Sequence, residues 1–453
     1  MEKNNQLKKI LGLALAIILC LNFANAQNPI VPAGMYIADP SAHVWKDGKM
    51  YIYGSRDESP NYYCSWDHYV LSSSDLIHWE VTKNAFASRG ANDQVSYSDE
   101  LLFAPDCQYR NGTYYLYYCL ASNKNTEGVA VSKSPVGPFT NGKVIDLKGI
   151  NEIDPCVFLD DDGQAYYIWG QFTAKMAKLK PNMMEIDEAT IRDSVVTEKE
   201  HFFHEGGYMV KRKGIYYFVY AHMGRANMPT CIGYSTSKSP MGPFKYGGVI
   251  VDNDHCDPGN WNNHGSIVEF NNQWYVFYHR ATHGCNTMRK ACIEPIYFND
   301  NGSINEAEMT SQGVGGPLSA FNQIEAERAC LLLGNVRVQA FDVDKEELGG
   351  IQKDSKACYR YIDFGDGVDS FTVRVAPGNS AGKINIIPNN QWEESIGAID
   401  VPGNGDGKTW TTLNCKVKSI KGKHALWLVF NGANTDLFKV DWFKFNKASD
   451  TVK

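Results

Sequence analysis

The chain has 453 residues, 43% hydrophobic and 21% charged, which is the composition of a globular protein with the length for more than one domain. The formal net charge is −7 and Lys and Arg form no cluster, which argues against nucleic acid as a partner. No segment after residue 26 approaches the roughly 20 apolar residues that a membrane-spanning helix requires, so no membrane span is expected.

The first 26 residues have the three parts of a secretory signal peptide. A basic start ending at Lys9 precedes the mostly apolar stretch 10–23 and the small-x-small sequence Ala24-Asn25-Ala26. This predicts cleavage after Ala26 and export to the periplasm or the extracellular space. A lipid anchor on Cys20 is the alternative, but Leu19 stands where a lipoprotein signal normally carries a small residue.

Of the twelve cysteines, one lies in this leader, so at least one of the remaining eleven has no disulfide partner. They are scattered singly, without a C-x-x-C pair or a zinc-type histidine spacing. We expect most of them to be small buried residues.

An internal repeat occupies the middle of the chain. Five times a turn residue is followed three positions later by Tyr inside an aromatic strand: Gly48/Tyr51, Gly112/Tyr115, Gly163/Tyr166, Gly214/Tyr217 and Asn272/Tyr275. Repeats of about 50 residues built from strands and turns are typical of β-propeller blades. A β-sandwich lacks a repeated unit of this size, and β-helix rungs are shorter. The sequence therefore predicts an all-β protein with a five-bladed β-propeller over residues 27–317.

Ionisable residues stand at equivalent positions of these repeats. Asp39, Asp154 and Glu205 each precede the turn residue by nine positions, His264 by eight and Asp106 by six. The first strand of each blade lines the central channel, so these side chains should converge on one cavity. Desolvation and mutual repulsion would keep at least one of the acids protonated near neutral pH. A protonated and an ionised carboxyl group together are what glycoside cleavage requires.

Four ordered motifs resemble glycoside hydrolase family 43 between residues of about 30 and 315: Ala38-Asp39-Pro40-Ser41, Phe103-Ala104-Pro105-Asp106, Ile153-Asp154-Pro155 and His204-Glu205-Gly206-Gly207. The resemblance implies that Asp39 is the general base and Glu205 the general acid. It implies that Asp154 tunes the pKa of the acid and orients it. It also implies hydrolysis with inversion in a single displacement, without an organic cofactor.

Further substrate contacts follow from the same resemblance. His264 matches an axial histidine that in some members organises a water or a calcium ion, and Arg280 matches an arginine that contacts the sugar. Trp169 is another candidate contact. Asp106 departs from the nine-residue offset, so it either touches substrate or supports the architecture.

After residue 317 the repeat ends and a different β pattern begins, which predicts a jelly-roll-like β-sandwich over residues 321–447. Its opening Ile324-Glu325-Ala326-Glu327 and closing Val440-Asp441-Trp442-Phe443 resemble carbohydrate-binding module family 6. The resemblance implies a structural calcium held by Glu325, Glu327 and Asp441, with ordinary surface acids as the alternative. The loop 405–409 has no Trp where that family usually exposes one, so glycan binding there is expected to be weak or absent.

These observations predict an exported, inverting, exo-acting glycosidase that removes α-L-arabinofuranosyl or β-D-xylosyl groups from plant-type polysaccharides or oligosaccharides. A galactosidase or an endo-arabinanase of the same fold is one alternative. A non-catalytic glycan-binding propeller is another, although none of the three acids has been lost. The choice of sugar should depend on the loops 59–68 and 255–262.

Overall fold

In the computed structural model, residues 23–24 and 27–447 are described. The predicted signal peptide lies outside the described residues except for a two-residue strand, Phe23–Ala24. The all-β class is confirmed, because the only α-helix in the described ranges is α1 (Glu198–His201). Short 3-10 helices occur at Gly90–Asn92, Glu188–Thr190, Arg225–Asn227 and Ala326–Arg328. No helix within these ranges is long and apolar enough to cross a membrane.

One antiparallel sheet forms for each predicted repeat. Sheet one contains β1 (Phe23–Ala24), β2 (Ile37–Val44), β3 (Met50–Arg56), β4 (Asp67–Ser73) and β5 (His78–Ala87). Sheet two contains β6 (Asp106–Arg110), β7 (Thr113–Cys119), β8 (Glu127–Ser132) and β9 (Thr140–Val144). Sheet three contains β10 (Cys156–Leu159), β11 (Ala165–Trp169), β12 (Thr173–Lys178) and β13 (Arg192–Thr197). Sheet four contains β14 (Phe203–Arg212), β15 (Ile215–His222), β16 (Cys231–Ser237) and β17 (Lys245–Asp252). Sheet five contains β18 (Ser266–Phe270), β19 (Gln273–Ala281) and β20 (Arg289–Ile296).

The turns between the first two strands of these sheets explain the repeated sequence signature. In three of them both turn residues have positive φ: Asn111 and Gly112, Lys213 and Gly214, Asn271 and Asn272. Gly and Asn adopt this backbone at little cost, and two-residue turns of this kind match the twist of the flanking strands. The turn chemistry therefore fixes the register of each hairpin.

The five sheets are arranged as a ring. Their first strands β2, β6, β10, β14 and β18 contact one another in closed order, with β18 returning to β2. The start of the chain closes the ring beside the last sheet, where the Ile30 amide donates to the Ala291 carbonyl at 2.9 Å. The Asn28 side chain also exchanges two hydrogen bonds with the backbone of Ile293, at 3.0 and 2.9 Å. The first strand of every sheet thus lies at the centre.

A β-sandwich follows the ring. One sheet contains β21 (Leu318–Ser319), β23 (Leu331–Leu333), β26 (Lys356–Asp363), β28 (Gly382–Pro388), β29 (Gly397–Val401) and β31 (Lys423–Gly432). The other contains β22 (Ile324–Glu325), β24 (Arg337–Asp342), β25 (Lys345–Gly349), β27 (Val368–Pro377), β30 (Thr411–Lys416) and β32 (Phe438–Lys447). The sheets enclose a hydrophobic core of their own. The boundaries predicted at 317 and 321 stay predictions, and the first sandwich strand begins at Leu318.

The eleven cysteines in the described residues carry no disulfide. Nine of them are buried, which confirms that they serve mostly as small core residues.

Candidate active site

A pocket of about 220 Å³ opens where the central strands begin, and Asp39, Asp154, Glu205 and His264 all line it. Both aspartates have left-handed backbone, with φ of 51° at Asp39 and 64° at Asp154. The strand register shifts across Asp39 and on both sides of Glu205. Such bulges re-aim side chains and are common beside active sites. The equivalent repeat positions are therefore brought together, as the nine-residue offset predicts.

Asp39 is held in its ionised form by positive neighbours. Arg289 Nη1 donates to its Oδ1 at 2.8 Å, and Ser55 Oγ donates to its Oδ2 at 2.6 Å. Burial by itself would raise the pKa of Asp39, but Arg289, His264, His279 and the Ser55 hydrogen bond together outweigh it and lower the pKa to about 2. A carboxylate that stays charged at neutral pH can accept a proton from water.

Asp154 has the opposite environment. Burial raises its pKa well above the usual value, and the carboxyl groups of Glu205 and Asp39 raise it further. Glu205 itself accepts a hydrogen bond from Gln171 Nε2 at 2.7 Å. Burial and neighbouring negative charge therefore favour a proton on Asp154, where Asp39 has none. The pocket thus contains both an ionised and a protonated carboxyl group.

The Glu205-Gly206-Gly207 motif has a steric origin. Gly206 has φ of 66°, and a Cβ added there would lie 2.6 Å from the imidazole of His264. Only glycine allows this approach, which sets the ring beside the acids. Nδ1 of His264 lies 3.6 Å from Asp39 Oδ1 and 3.9 Å from Asp154 Oδ2. Burial lowers the pKa of His264, so the ring between the two aspartates is uncharged at neutral pH and becomes a positive neighbour of Asp39 only when it gains a proton in acid.

Comparison with known proteins decides the family. Residues 26–304, more than half of the chain, match the sequence profile described as Glycosyl hydrolases family 43. The chain belongs to this family. It is therefore a glycoside hydrolase, and its substrates are carbohydrates. Residues 326–447 of this family 43 enzyme match the profile of the carbohydrate binding module of family 6.

Similar proteins extend over both parts of the chain. A xylosidase/arabinosidase of Thermoclostridium stercorarium is 29% identical and covers 91% of this chain and 97% of its own length. An arabinoxylan arabinofuranohydrolase of Bacillus subtilis (strain 168) is also 29% identical, covering 93% of this chain and 92% of its own. A crystal structure of a family 43 arabinoxylan arabinofuranohydrolase from Bacillus subtilis, in complex with cellotetraose, superposes with a TM-score of 0.53 at 27% identity. It covers 96% of this chain and 100% of that one.

The predicted sugar contact at Arg280 requires correction in this family 43 enzyme. Arg280 is buried outside the pocket, where its Nη2 donates to the Thr310 carbonyl at 2.5 Å and to the Tyr278 hydroxyl at 2.7 Å. Neighbouring residues of a strand point to opposite faces, and His279 faces Asp39, so Arg280 must face away. Arg289 occupies the pocket instead, and its guanidinium also forms two hydrogen bonds to Asp57, at 2.8 and 2.9 Å.

Two further predicted contacts also lie outside the pocket lining. Trp169 is 1% exposed and its indole N–H donates to the Ile150 carbonyl at 2.9 Å, so it is a core residue. Asp106 is fully enclosed and accepts from Ser41 at 2.6 Å and from the Val157 amide at 2.7 Å. Asp106 thus joins the first three sheets and does not line the pocket. Of its two predicted roles, this is support of the architecture.

Several lining residues are absent from the predicted set. The loops 59–68 and 255–262 do reach the pocket, through Tyr63 and Cys64 and through Trp261 and Asn262. Gln171 had no signal in the sequence, because it stands two residues beyond the end of the aromatic strand β11 and outside the repeated positions. Only the hydrogen bond from Gln171 to Glu205 in the structure identifies it as a residue of the site.

The three acids predicted to hold calcium line one cavity, which lies between the C-terminal domain and the chain segment 29–33. Glu327 has an oxygen available to a cation, because its Oε2 is buried without a hydrogen-bond partner. Burial raises its pKa to about 8, so a cation would have to displace a proton there. Asp441, however, pairs with Arg374, and Glu325 accepts from Gln323 at 2.7 Å. Among residues 23–24 and 27–447, no group of three or more His, Cys, Asp or Glu side chains is placed to hold a metal, at this cavity or at His264.

Proposed function

We propose that the enzyme is an exo-acting, inverting glycosidase that removes α-L-arabinofuranosyl or β-D-xylosyl units from plant-type polysaccharides. The observation that carries this proposal is the meeting of three acids in one pocket: a charged Asp39, an Asp154 whose raised pKa favours its protonated form, and Glu205. The cavity of about 220 Å³ suits a terminal sugar unit better than the interior of a long chain. The xylosidase/arabinosidase and arabinofuranohydrolase activities named for the relatives support a pentose.

The proposed reaction is a single displacement. Asp39 accepts a proton from a water whose oxygen attacks the anomeric carbon, while the carboxylic acid of Glu205 protonates the departing glycosidic oxygen. The bond between the anomeric carbon and this oxygen breaks as the new one forms, so the sugar leaves with inverted configuration. Arg289 keeps Asp39 ionised for this role, and Gln171 orients Glu205.

The test is hydrolysis of a panel of nitrophenyl glycosides by the wild type, Asp39→Asn and Glu205→Gln. We expect an arabinofuranoside or xyloside to react fastest and both variants to lose most activity. A dinitrophenyl glycoside, whose leaving group needs little protonation, should restore much of the rate to Glu205→Gln only. Preferred cleavage of galactosides, or internal cleavage of arabinan, would favour the related activities. Oligosaccharide binding without any hydrolysis would favour the non-catalytic glycan-binding propeller.

Proton NMR of the first-formed product tests the stereochemistry. Inversion gives the anomer opposite to that of the substrate, whereas retention would exclude activation of water by Asp39.

We also propose that the enzyme is exported and that Gln27 is its mature N-terminus. The leader pattern of residues 1–26 supports this, and Asn28, the second residue of the mature chain, is anchored against Ile293. Mass spectrometry of the exported protein tests the assignment. A lipid-modified chain beginning at Cys20 would contradict it.

For the C-terminal domain, we propose that a bound calcium ion would use Glu327 as its principal ligand. The orphaned Glu327 oxygen supports this choice. After treatment with EDTA, added Ca²⁺ should raise Tm in the wild type and leave Tm unchanged in Glu327→Gln. An equal rise of Tm in both proteins would show that Glu327 is not a calcium ligand.

A further inference from the structure

Exposed aromatic side chains concentrate at the mouth of the pocket. Within the described part of the five ring sheets and their loops, five aromatic side chains are strongly exposed: Tyr62, Phe172, Phe202, Trp261 and Tyr297. Trp261 lines the pocket, and three others stand within two residues of the lining residues Tyr63, Gln171 and His204. Only Tyr297, which follows β20, lies away from it. Scattered exposed apolar residues are normal, but their gathering around one opening marks a binding surface.

Two of these residues also have an unfavourable backbone. Phe172 has φ of 62° and Phe202 has φ of 60°, the left-handed region that glycine or asparagine occupies at least cost. Phe202 directly follows the last residue of helix α1, a position where left-handed backbone is usual. The rings are 52% and 45% exposed. The Phe202 ring packs against the rings of His222 and Tyr246, with centroids 5.1 and 5.3 Å away. At Phe172 neither backbone preference nor burial accounts for phenylalanine, and strain of this kind clusters at functional sites.

Phe172 lies on the side of the pocket that carries the general acid. The preceding residue Gln171 donates to Glu205, and the Phe172 ring meets the ring of His204 edge-on, with centroids 5.4 Å apart. Two hydrogen bonds fix the Phe172 backbone, which donates to the His204 carbonyl at 2.6 Å and accepts from the Glu198 amide at 3.0 Å. The ring is therefore presented rigidly beside the acid.

A general acid protonates the oxygen of the departing group, so that group must leave past Glu205. We propose that Phe172 and Phe202 form a shelf for the sugar units on the leaving-group side, with Phe172 stacking the first unit and Phe202 the next. Sugar rings carry apolar C–H faces that pack on flat aromatic rings. This inference rests on the proposed glycosidase function and adds that the preferred substrate carries at least two further sugars beyond the scissile bond.

The experiment compares two substrates of the sugar identified by the nitrophenyl panel. One is the glycosyl fluoride, which has no leaving-group sugar, and the other is an oligosaccharide with two or more sugars on that side. In Phe172→Asn we expect kcat/KM on the oligosaccharide to fall about tenfold, mainly through KM, with the fluoride changed less than twofold. Phe202→Asn should have a smaller effect of the same kind.

Asparagine tolerates left-handed backbone, so the Tm of both variants should not fall. Phe172→Trp should retain the wild-type preference for the oligosaccharide, and Tyr297→Ala, which removes a 58% exposed ring elsewhere, should change neither substrate. Equal losses on both substrates, or none on the oligosaccharide, overturn the shelf while leaving the glycosidase function intact. A wild type that cleaves neither substrate overturns both.

Discussion

Asp39 and Asp154 occupy the same position of two repeats, share left-handed backbone and are both buried, yet they have opposite electrostatic environments. Burial acts to raise the pKa of both, but Asp39 faces the Arg289 guanidinium, which with its other neighbours lowers the pKa to about 2. Burial raises the pKa of Asp154 well above the usual value, and the carboxyl groups that it faces raise it further. The repeat thus decides where the acids lie, and side chains from other strands decide which of them carries a proton. Substitutions that exchange or remove these neighbours test the comparison.

The largest effect is expected when the charged carboxylate of Asp39 is neutralised. Asp39→Asn keeps the size of the side chain but removes the carboxylate that takes a proton from water, so kcat should fall about 10³-fold. Steady-state hydrolysis of the preferred aryl glycoside measures this, with unchanged oligosaccharide binding as the control for folding. A loss of less than tenfold would show that another group is the base.

Replacing Asp154 by a neutral residue should lower kcat less and should affect the alkaline limb of the pH profile. Asp154→Asn removes the carboxyl group that faces Glu205, so kcat should fall about 10- to 100-fold. Repulsion between the two carboxyl groups opposes ionising both, and asparagine removes this repulsion. The alkaline limb should therefore move to lower pH by about one unit. If the alkaline limb did not move, Asp154 would have no influence on the proton of the general acid.

The acid limb tests the partner of Asp39. Lysine in Arg289→Lys retains one positive charge but loses the fork that joins Asp39 to Asp57, so the pKa of Asp39 should rise. The base must be ionised to work, so the acid limb should move to higher pH, with about a tenfold loss or less at neutral pH. Arg280→Lys is the matched control, since it alters a buried arginine outside the pocket. A shift of similar size in both variants would refute a specific role for Arg289.

The same comparison shows how far sequence reasoning reaches. The repeat and its turn residues predict the hairpins, and counting back from the turns places Asp39, Asp154 and Glu205 in one pocket, because backbone periodicity alone governs both. Arg289 and Gln171 reach the pocket from positions outside that period.

Rejecting Arg280 as a sugar contact requires knowing which face of β19 points into the pocket. His279 reveals this only through its contact with Asp39. The acids of the C-terminal domain do share a cavity, but the pairing of Asp441 with Arg374 on another strand is invisible in their spacing.

The smallest effect on rate is expected from Gly206→Ala, which disturbs both aspartates at once through the histidine between them. The new Cβ would lie 2.6 Å from His264, so the ring must shift relative to Asp39 and Asp154. His264 helps to lower the pKa of Asp39, so the acid limb of the pH profile should shift slightly and kcat should fall severalfold. Gly214→Ala in the same sheet has a similar φ of 74° but no atom within 4 Å of the added Cβ. It should lose about 1 kcal/mol of stability from backbone strain without changing kcat or the pH profile. Equal kinetic effects of the two substitutions would mean that strain in the strand, rather than the position of His264, keeps the two aspartates in different protonation states.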